Sequence, residues 1–192
     1  MIRLRNTAER YGAVAQLLHW TIAALVLVQF ALGVTAQDLP LGMERLIVLS
    51  RHKALGMTVF ALVLLRLAWR QCSPAPPPPP ADLHALPRRL AGATHGLLYA
   101  LLLAMPVMGW ISSSASNLTV TWFGLFAFPD LVAPHPGFAE LAKEIHANLA
   151  WLLSAVVIVH VSAALWHHGV RRDDVLWRML PLVRRPSRRR GA

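Results

Sequence analysis

The stretch Ile145–His168, IHANLAWLLSAVVIVHVSAALWHH, runs for more than twenty residues without a charged side chain. At about 1.5 Å per residue it is long enough to cross a bilayer as a helix. Two histidines stand inside it, His146 and His160, fourteen residues apart. At about 100° per residue that spacing returns to nearly the same helix face, with the rings about 21 Å apart along the axis. Two imidazoles on one face at two membrane depths point to two metal or haem sites. The rest of the chain supplies what completes them.

The 192 residues are 56% hydrophobic, and the apolar residues fall in four long blocks rather than short periodic runs. That is the pattern of a polytopic membrane protein. Spans are expected at about 13–36, 47–69, 90–113 and 145–168, in an all-α, up-down-up-down, four-helix transmembrane bundle forming a single membrane domain. The net charge of +10 invites a nucleic-acid reading, but its location argues against one. Of nineteen Lys and Arg, fourteen lie before residue 13, between Arg70 and Arg89, or after His168, while Arg45, Arg51, Lys53 and Lys143 fall in the alternate segments and Arg66 within a span. Acidic residues divide almost evenly, so the bias belongs to the basic residues and places both termini and the middle linker in the cytoplasm. The positive charge reports topology and calls for lipid, not nucleic acid, as the surrounding partner.

One cysteine, Cys72, rules out an internal disulfide, and without a CxxCH motif any haem is held as b-type. Arg3, Arg5 and Arg10 before an apolar run resemble a signal peptide, but the uncharged run from Gly12 to Gln37 is too long for one and contains Gln16, His19 and Gln29. A retained span is expected. Trp20 is a candidate interfacial anchor. Pro74 and Pro76–Pro80 make the cytoplasmic linker 73–81 a stiff polyproline spacer, or alternatively a ligand for partner modules. Pro106 is expected to kink the third span. Leu118–Phe138, LTVTWFGLFAFPDLVAPHPGF, is too interrupted by proline to span and is expected on the outer face, with Trp122, Phe123, Phe126 and Phe128 at the interface. The basic tail 169–192 carries Leu176, Trp177, Met179 and Leu180, able to lie along the inner surface. No sequence repeat is evident.

Depth assigns partners to the histidines. The second and fourth spans enter from outside, so His52 and His146 lie near the outer surface, and His160 lies about 21 Å deeper. The first span enters from inside, which puts His19 at the inner boundary. Antiparallel packing pairs His52 with His146 and His19 with His160; the crossed pairing would reach most of the way across the membrane. Each pair suits axial ligation of a haem from its two faces. Gly33, fourteen residues after His19, reaches the outer pair's depth, where the lack of a side chain would admit a porphyrin edge. Arg66, fourteen after His52, reaches the inner pair's depth, where a guanidinium would neutralise propionates. The alternatives are a helix-packing glycine and a snorkelling arginine. His95, at the inner depth, is a candidate hydrogen-bond partner, proton relay or quinone contact, or a plain interfacial histidine. His167, seven residues after His160, is the rival for the inner site. His84 and His135 fall in proline-bounded loops and read as solvated.

LLHW at Leu17–Trp20, RHKALG at Arg51–Gly56, HGLLYALLLAMPVMGW at His95–Trp110 and IHANLA…VHVSAALWHH in the last span form an ordered set. That set resembles the bacterial cytochrome b561 family of four-helix di-haem membrane cytochromes. The resemblance maps the family's axial ligands onto His19, His52, His146 and His160, in agreement with the depth argument, and implies two haem b groups. With every axial position filled, the chemistry is outer-sphere electron transfer. The first reading is electron exchange between a membrane quinone and a one-electron partner at the periplasmic face. The resemblance implies superoxide oxidation coupled to ubiquinone reduction, making the chain an oxidoreductase of the superoxide:quinone type. Arg51 and Lys53, and Lys143 with them, would attract the anion, though their bland role is to end helices. The alternatives are an electron-transfer subunit of a membrane-bound hydrogenase or dehydrogenase, bound to a partner redox subunit, and a His-lined metal transporter.

Overall fold

The computed structural model describes residues 3–74, 76 and 85–181, with the side chains of 85–88 excepted. Most of the proline run, His84 and the arginine-rich end of the tail lie outside the described residues. Four helices dominate: α1 (Ala13–Asp38), α2 (Met43–Cys72), α3 (Ala85–Ala115) and α4 (Pro136–Trp166). All four are long and apolar enough to cross a membrane. α1 packs on α2, α2 on α3, and α3 on α4.

Each helix extends past the apolar block that announced it. At 26 to 31 residues, each is about 39 to 46 Å long, more than the roughly 30 Å of hydrocarbon it must cross. α4 starts nine residues before the uncharged stretch because Pro136 sits in the first turn and His135 caps it. The His135 Nδ1 accepts from the Phe138 amide at 3.1 Å. The charged turn with Glu140 and Lys143, paired at 3.2 Å, therefore belongs to the helix and projects into water. Pro106 stands inside α3, which continues through it.

Inward, Ile22 and Val26 of α1 meet Val59 and Val63 of α2, with Phe30, Leu62, Tyr99, Leu102 and Leu103 around them. Both pairs are spaced four apart, one turn on one face. Outward, Leu27, Leu65, Trp151, Ile158, Val159 and Leu165 are exposed. A soluble protein would not leave so many large apolar side chains in water; here they face lipid.

Before α4, the aromatic loop folds into a hairpin of β1 (Thr121–Trp122) and β2 (Phe126–Ala127), with Trp122 opposite Phe126. Phe123 and Gly124 both have positive φ, 48° and 76°, and the Leu125 amide donates to the Trp122 carbonyl at 2.9 Å. These are the features of a type I′ turn, which glycine adopts freely and phenylalanine only under strain. The hairpin lies against α2: the Trp122 indole donates to Thr58 Oγ1 at 3.0 Å.

The opposite end is laced by the termini. Asn6 Nδ2 donates to the Ser73 carbonyl at 2.8 Å, and Asn6 Oδ1 accepts from the Gly12 amide, also at 2.8 Å. The Ala13 amide, one of α1's orphan donors, bonds the Arg3 carbonyl at 2.9 Å. Beyond α4 a π-helical turn (His167–Arg171) and a left-handed Arg172 reverse the chain. Residues 172–181 then fold back onto α1. Tyr11 N and Gln16 Nε2 donate to the Arg178 carbonyl, Trp20 Nε1 to Met179 and Arg10 to Leu180. Trp20 thus anchors the tail as well as facing outward. Half-buried beneath this lacing, the Tyr11 phenol has its pKa raised by burial, against the lowering influence of Arg70 and Arg66.

Trp122→Phe keeps the aromatic packing and removes only the bond to Thr58. We expect a loss of about 1 kcal/mol, a fall in unfolding midpoint of roughly 2–4 °C in detergent. An unchanged midpoint would show that the hairpin is not tied to α2 through that bond.

Candidate functional site

The bundle brings the four intramembrane histidines together in two facing pairs. His19 of α1 faces His160 of α4, with ring centroids 6.3 Å apart and planes at 79°. His52 of α2 faces His146 of α4 at 6.1 Å and 78°. A metal–imidazole bond of about 2.0 Å plus the about 1.1 Å from nitrogen to ring centroid, taken twice, spans roughly 6.3 Å. Both gaps therefore have the width that one six-coordinate iron between two imidazoles requires. The donor set fits as well: neutral nitrogen ligands, on separate helices, in apolar surroundings.

His146 is the more fully oriented of the outer pair. Its Nδ1 lies 3.0 Å from the Met105 carbonyl of α3. A carbonyl only accepts, so Nδ1 carries the proton and Nε2 keeps its lone pair for a metal. Gly109, one turn beyond Met105, lies under the same ring edge, where an added Cβ would stand 3.2 Å from Cε1 and 3.3 Å from Nδ1. Gly33 of α1 does the same for His52 less tightly, its Cβ position 3.5 Å from Cε1 and 3.9 Å from Nδ1. The sequence had marked Gly33 but passed over Gly109 and the Met105 carbonyl. The only signal was the small residue Gly109 three positions after Pro106 in an apolar span, and nothing in one sequence says which ring lies across from it.

Arg66 stands at the inner pair's end of α2. Its guanidinium is engaged: Nε donates to the Tyr99 hydroxyl at 2.9 Å and Nη1 to the Ala15 carbonyl at 3.0 Å. It clasps α1, α2 and α3 together beside the pair. His95 of α3 also reaches this end, its ring 5.1 Å from His160. That gap is about 1 Å too narrow for an iron between them. Its Nδ1 bonds the Ala91 carbonyl at 2.7 Å, which leaves Nε2 exposed at the edge of the site. His167 is turned away from the inner pair and bonded through Nδ1 to the carboxylate of Asp173. Between the pairs lies the buried apolar layer of Ile22, Val26, Val59 and Val63. Above the outer pair, Arg51 is exposed in a groove with Leu46, Ile47 and Phe123, and Lys53 is half-buried. Among the described residues no group of three or more His, Cys, Asp or Glu is placed to hold a metal ion.

The chain matches the family model of prokaryotic cytochrome b561 over residues 10–182. Cytochrome b561 homolog 2 of Escherichia coli (strain K12) is 35% identical over 177 residues, covering 91% of this chain and 93% of the relative. Cytochrome b561 homolog 1 of the same strain is 28% identical, with 90% and 98% covered. A protein of Yersinia pestis named probable superoxide oxidase CybB is 26% identical, with 92% and 98% covered. The matched span takes in all four helices and both facing pairs, and the chain belongs to the prokaryotic cytochrome b561 family, multi-pass b-type cytochromes of the bacterial inner membrane that transfer electrons.

Proposed function

We propose that His19 and His160 hold one haem b, that His52 and His146 hold a second, and that the protein passes electrons between a one-electron partner at the periplasmic face and ubiquinone in the membrane. The observation carrying this reading is the pair of imidazole gaps, each of one iron's width. Haem bound between two imidazoles supplies reversible one-electron chemistry with no open coordination position. The chain's own residues do the rest. Met105 holds His146 in the ligating tautomer. Ile22, Val26, Val59 and Val63 exclude water between the two sites, and Arg66 lends positive charge to the inner one.

The partner we favour is superoxide, supported by the Yersinia pestis relative's name and by the cations at the outer end. Two superoxide anions each give up one electron and become dioxygen; one ubiquinone takes both electrons and two protons and becomes the quinol. Arg51 and Lys53 raise the local concentration of the anion, an effect that salt screens. A second reading, a cytochrome subunit serving a partner dehydrogenase or hydrogenase, draws on the exposed Leu46 and strained Phe123 beside Arg51, which offer a docking edge. Stable co-purification with a soluble redox subunit would favour it.

Single His→Ala variants at 19 and 160 should each lose the same haem, and those at 52 and 146 the other, read from haem content and reduced spectra. His167→Ala should keep both. Retention of both haems in the His160 variant would break the inner assignment. Gly109→Ala should weaken the outer haem more than Gly33→Ala, since its Cβ lies closer to a ring; equal retention in both would remove the glycines from the site. Purified protein in vesicles should consume superoxide faster when ubiquinone is added. Arg51→Glu combined with Lys53→Glu should slow this several-fold at low salt, with the difference shrinking as salt rises. No quinone-dependent acceleration would sink the superoxide reading.

A further inference from the structure

We infer that His95 binds the quinone pool in its reduced form: Nε2 of its ring accepts a hydrogen bond from the hydroxyl of a ubiquinol seated on α3 beside the inner pair. This rests on the reading of that pair as a haem site serving ubiquinone, and it adds the residue and the redox form of the ligand.

The chemistry follows from what holds each ring nitrogen. His95 Nδ1 stands 2.7 Å from the Ala91 carbonyl, one turn earlier on α3. A carbonyl only accepts, so in the neutral ring Nδ1 carries the proton and Nε2 keeps a lone pair. Among the described residues Nε2 has no hydrogen-bond partner, and the side chain is exposed. The neighbouring Thr94 hydroxyl is already bonded to the Leu90 carbonyl at 2.9 Å. A lone pair at the lipid edge of a bundle calls for a donor that can reach it through lipid. Quinone brings only carbonyl acceptors, whereas quinol brings two O–H donors on a flat, lipid-soluble ring.

The place is open to such a ring. Helical side chains lean over the turn before them, which for His95 contains Gly92, and Gly96 lies one turn beyond Gly92. Among the described residues a Cβ at either glycine would meet nothing within 4 Å. A glycine that serves packing has a neighbour against it, as Gly109 has His146. These two have none, although glycine is a poor helix former. They leave a bare strip of helix beside the imidazole, bordered by the exposed Leu90 and Leu97.

The position also suits electron transfer. The His95 ring lies 5.1 Å from that of His160, edge to face. A quinol bonded to Nε2 is separated from an iron on His160 by two imidazoles. A site that binds quinol more tightly than quinone shifts the bound couple towards its reduced form, which draws electrons from the inner pair to the pool.

The experiment uses the haem-loaded full chain and reads two affinities, short-chain ubiquinol on protein held reduced and short-chain ubiquinone on protein held oxidised. His95→Phe keeps a ring against His160 and removes the acceptor. Quinol affinity should fall about fivefold, the contribution of one hydrogen bond, with quinone affinity unchanged and both haems retained. His95→Gln, which restores a side-chain acceptor, should recover part of the loss. Gly92→Leu combined with Gly96→Leu should weaken both forms and move neither haem, since the added side chains meet only the ligand. Equal weakening of both forms by His95→Phe, or no weakening, overturns the inference, as does full quinol affinity in the leucine variant. So does a leucine variant whose only change is the loss of a dimer, which would make the strip a face between two copies. Should His95→Phe lose a haem, the wild type's preference for quinol and its loss in the leucine variant decide together. Retention of both haems in His160→Ala would instead break the reading of the inner pair, while the two affinities still judge His95.

Discussion

A ring nitrogen among apolar helices has to be answered by something, and this bundle contains four such rings in two facing pairs with 6.1 and 6.3 Å between centroids. Imidazoles held that far apart and edge to face gain little from each other, so the spacing has to be imposed by the helices carrying them. Much of the remaining structure can be understood as that imposition. Glycines let α1 and α3 lie directly under the ring edges of His52 and His146, and a carbonyl on α3 takes the proton of His146. The core between the pairs is an aliphatic cluster of Ile22, Val26, Val59 and Val63 with leucines, Phe30 and Tyr99 packed around it, an apolar layer that disfavours water between one pair and the other.

The two ends of the bundle are fixed by different means. At the inner end the lacing is polar and long-range: Asn6 to Ser73, Arg66 to Tyr99 and Ala15, and the returning tail to Tyr11, Gln16 and Trp20. This end lies at the membrane boundary, where main-chain carbonyls beyond the helix ends are free to accept. At the outer end the fixing is a small aromatic hairpin pressed on α2 through Trp122 and Thr58. The strained Phe123 at its tip lines the groove with Arg51. The strain is tolerated because the rest of the hairpin, including the Phe128 amide on the Val120 carbonyl at 2.8 Å, holds the turn closed.

Which rings meet was legible because two one-dimensional signals suffice to set depth: the fourteen-residue spacing along one helix and the sidedness of the basic residues. The helix count followed from the same apolar blocks. The helix lengths did not, because the turns that project into water, such as Glu140–Lys143, are polar and look like loop. The hairpin was invisible, since strands of two residues carry no periodicity. Arg66 was expected for its charge and depth, but its clasp on Tyr99 and Ala15 depends on how three helices cross. Gly109 and Met105 escaped because a carbonyl's role is set by what packs against it and leaves no mark on residue type.

Two helices carry most of the geometry. α4 gives one histidine to each pair, so the separation of the sites along the membrane normal is set by about fourteen residues of one rigid rod, roughly 21 Å, and by nothing that can hinge. α1 gives His19 to the inner pair and lies under His52 at the outer one, with Gly33 and Gln29 both turned to that ring's residue. α2 and α3 also reach both ends, but with one ligand candidate at most: α2 supplies His52 outside and Arg66 inside, and α3 backs His146 outside and brings Tyr99 and His95 inside. A disturbance that tilts α2 or α3 would therefore alter what surrounds the pairs while leaving the spacing between them along α4 intact. A disturbance of α4 alters both at once, which makes the uncharged, unbroken run from Ile145 to Trp166 the part of the chain with least freedom to vary.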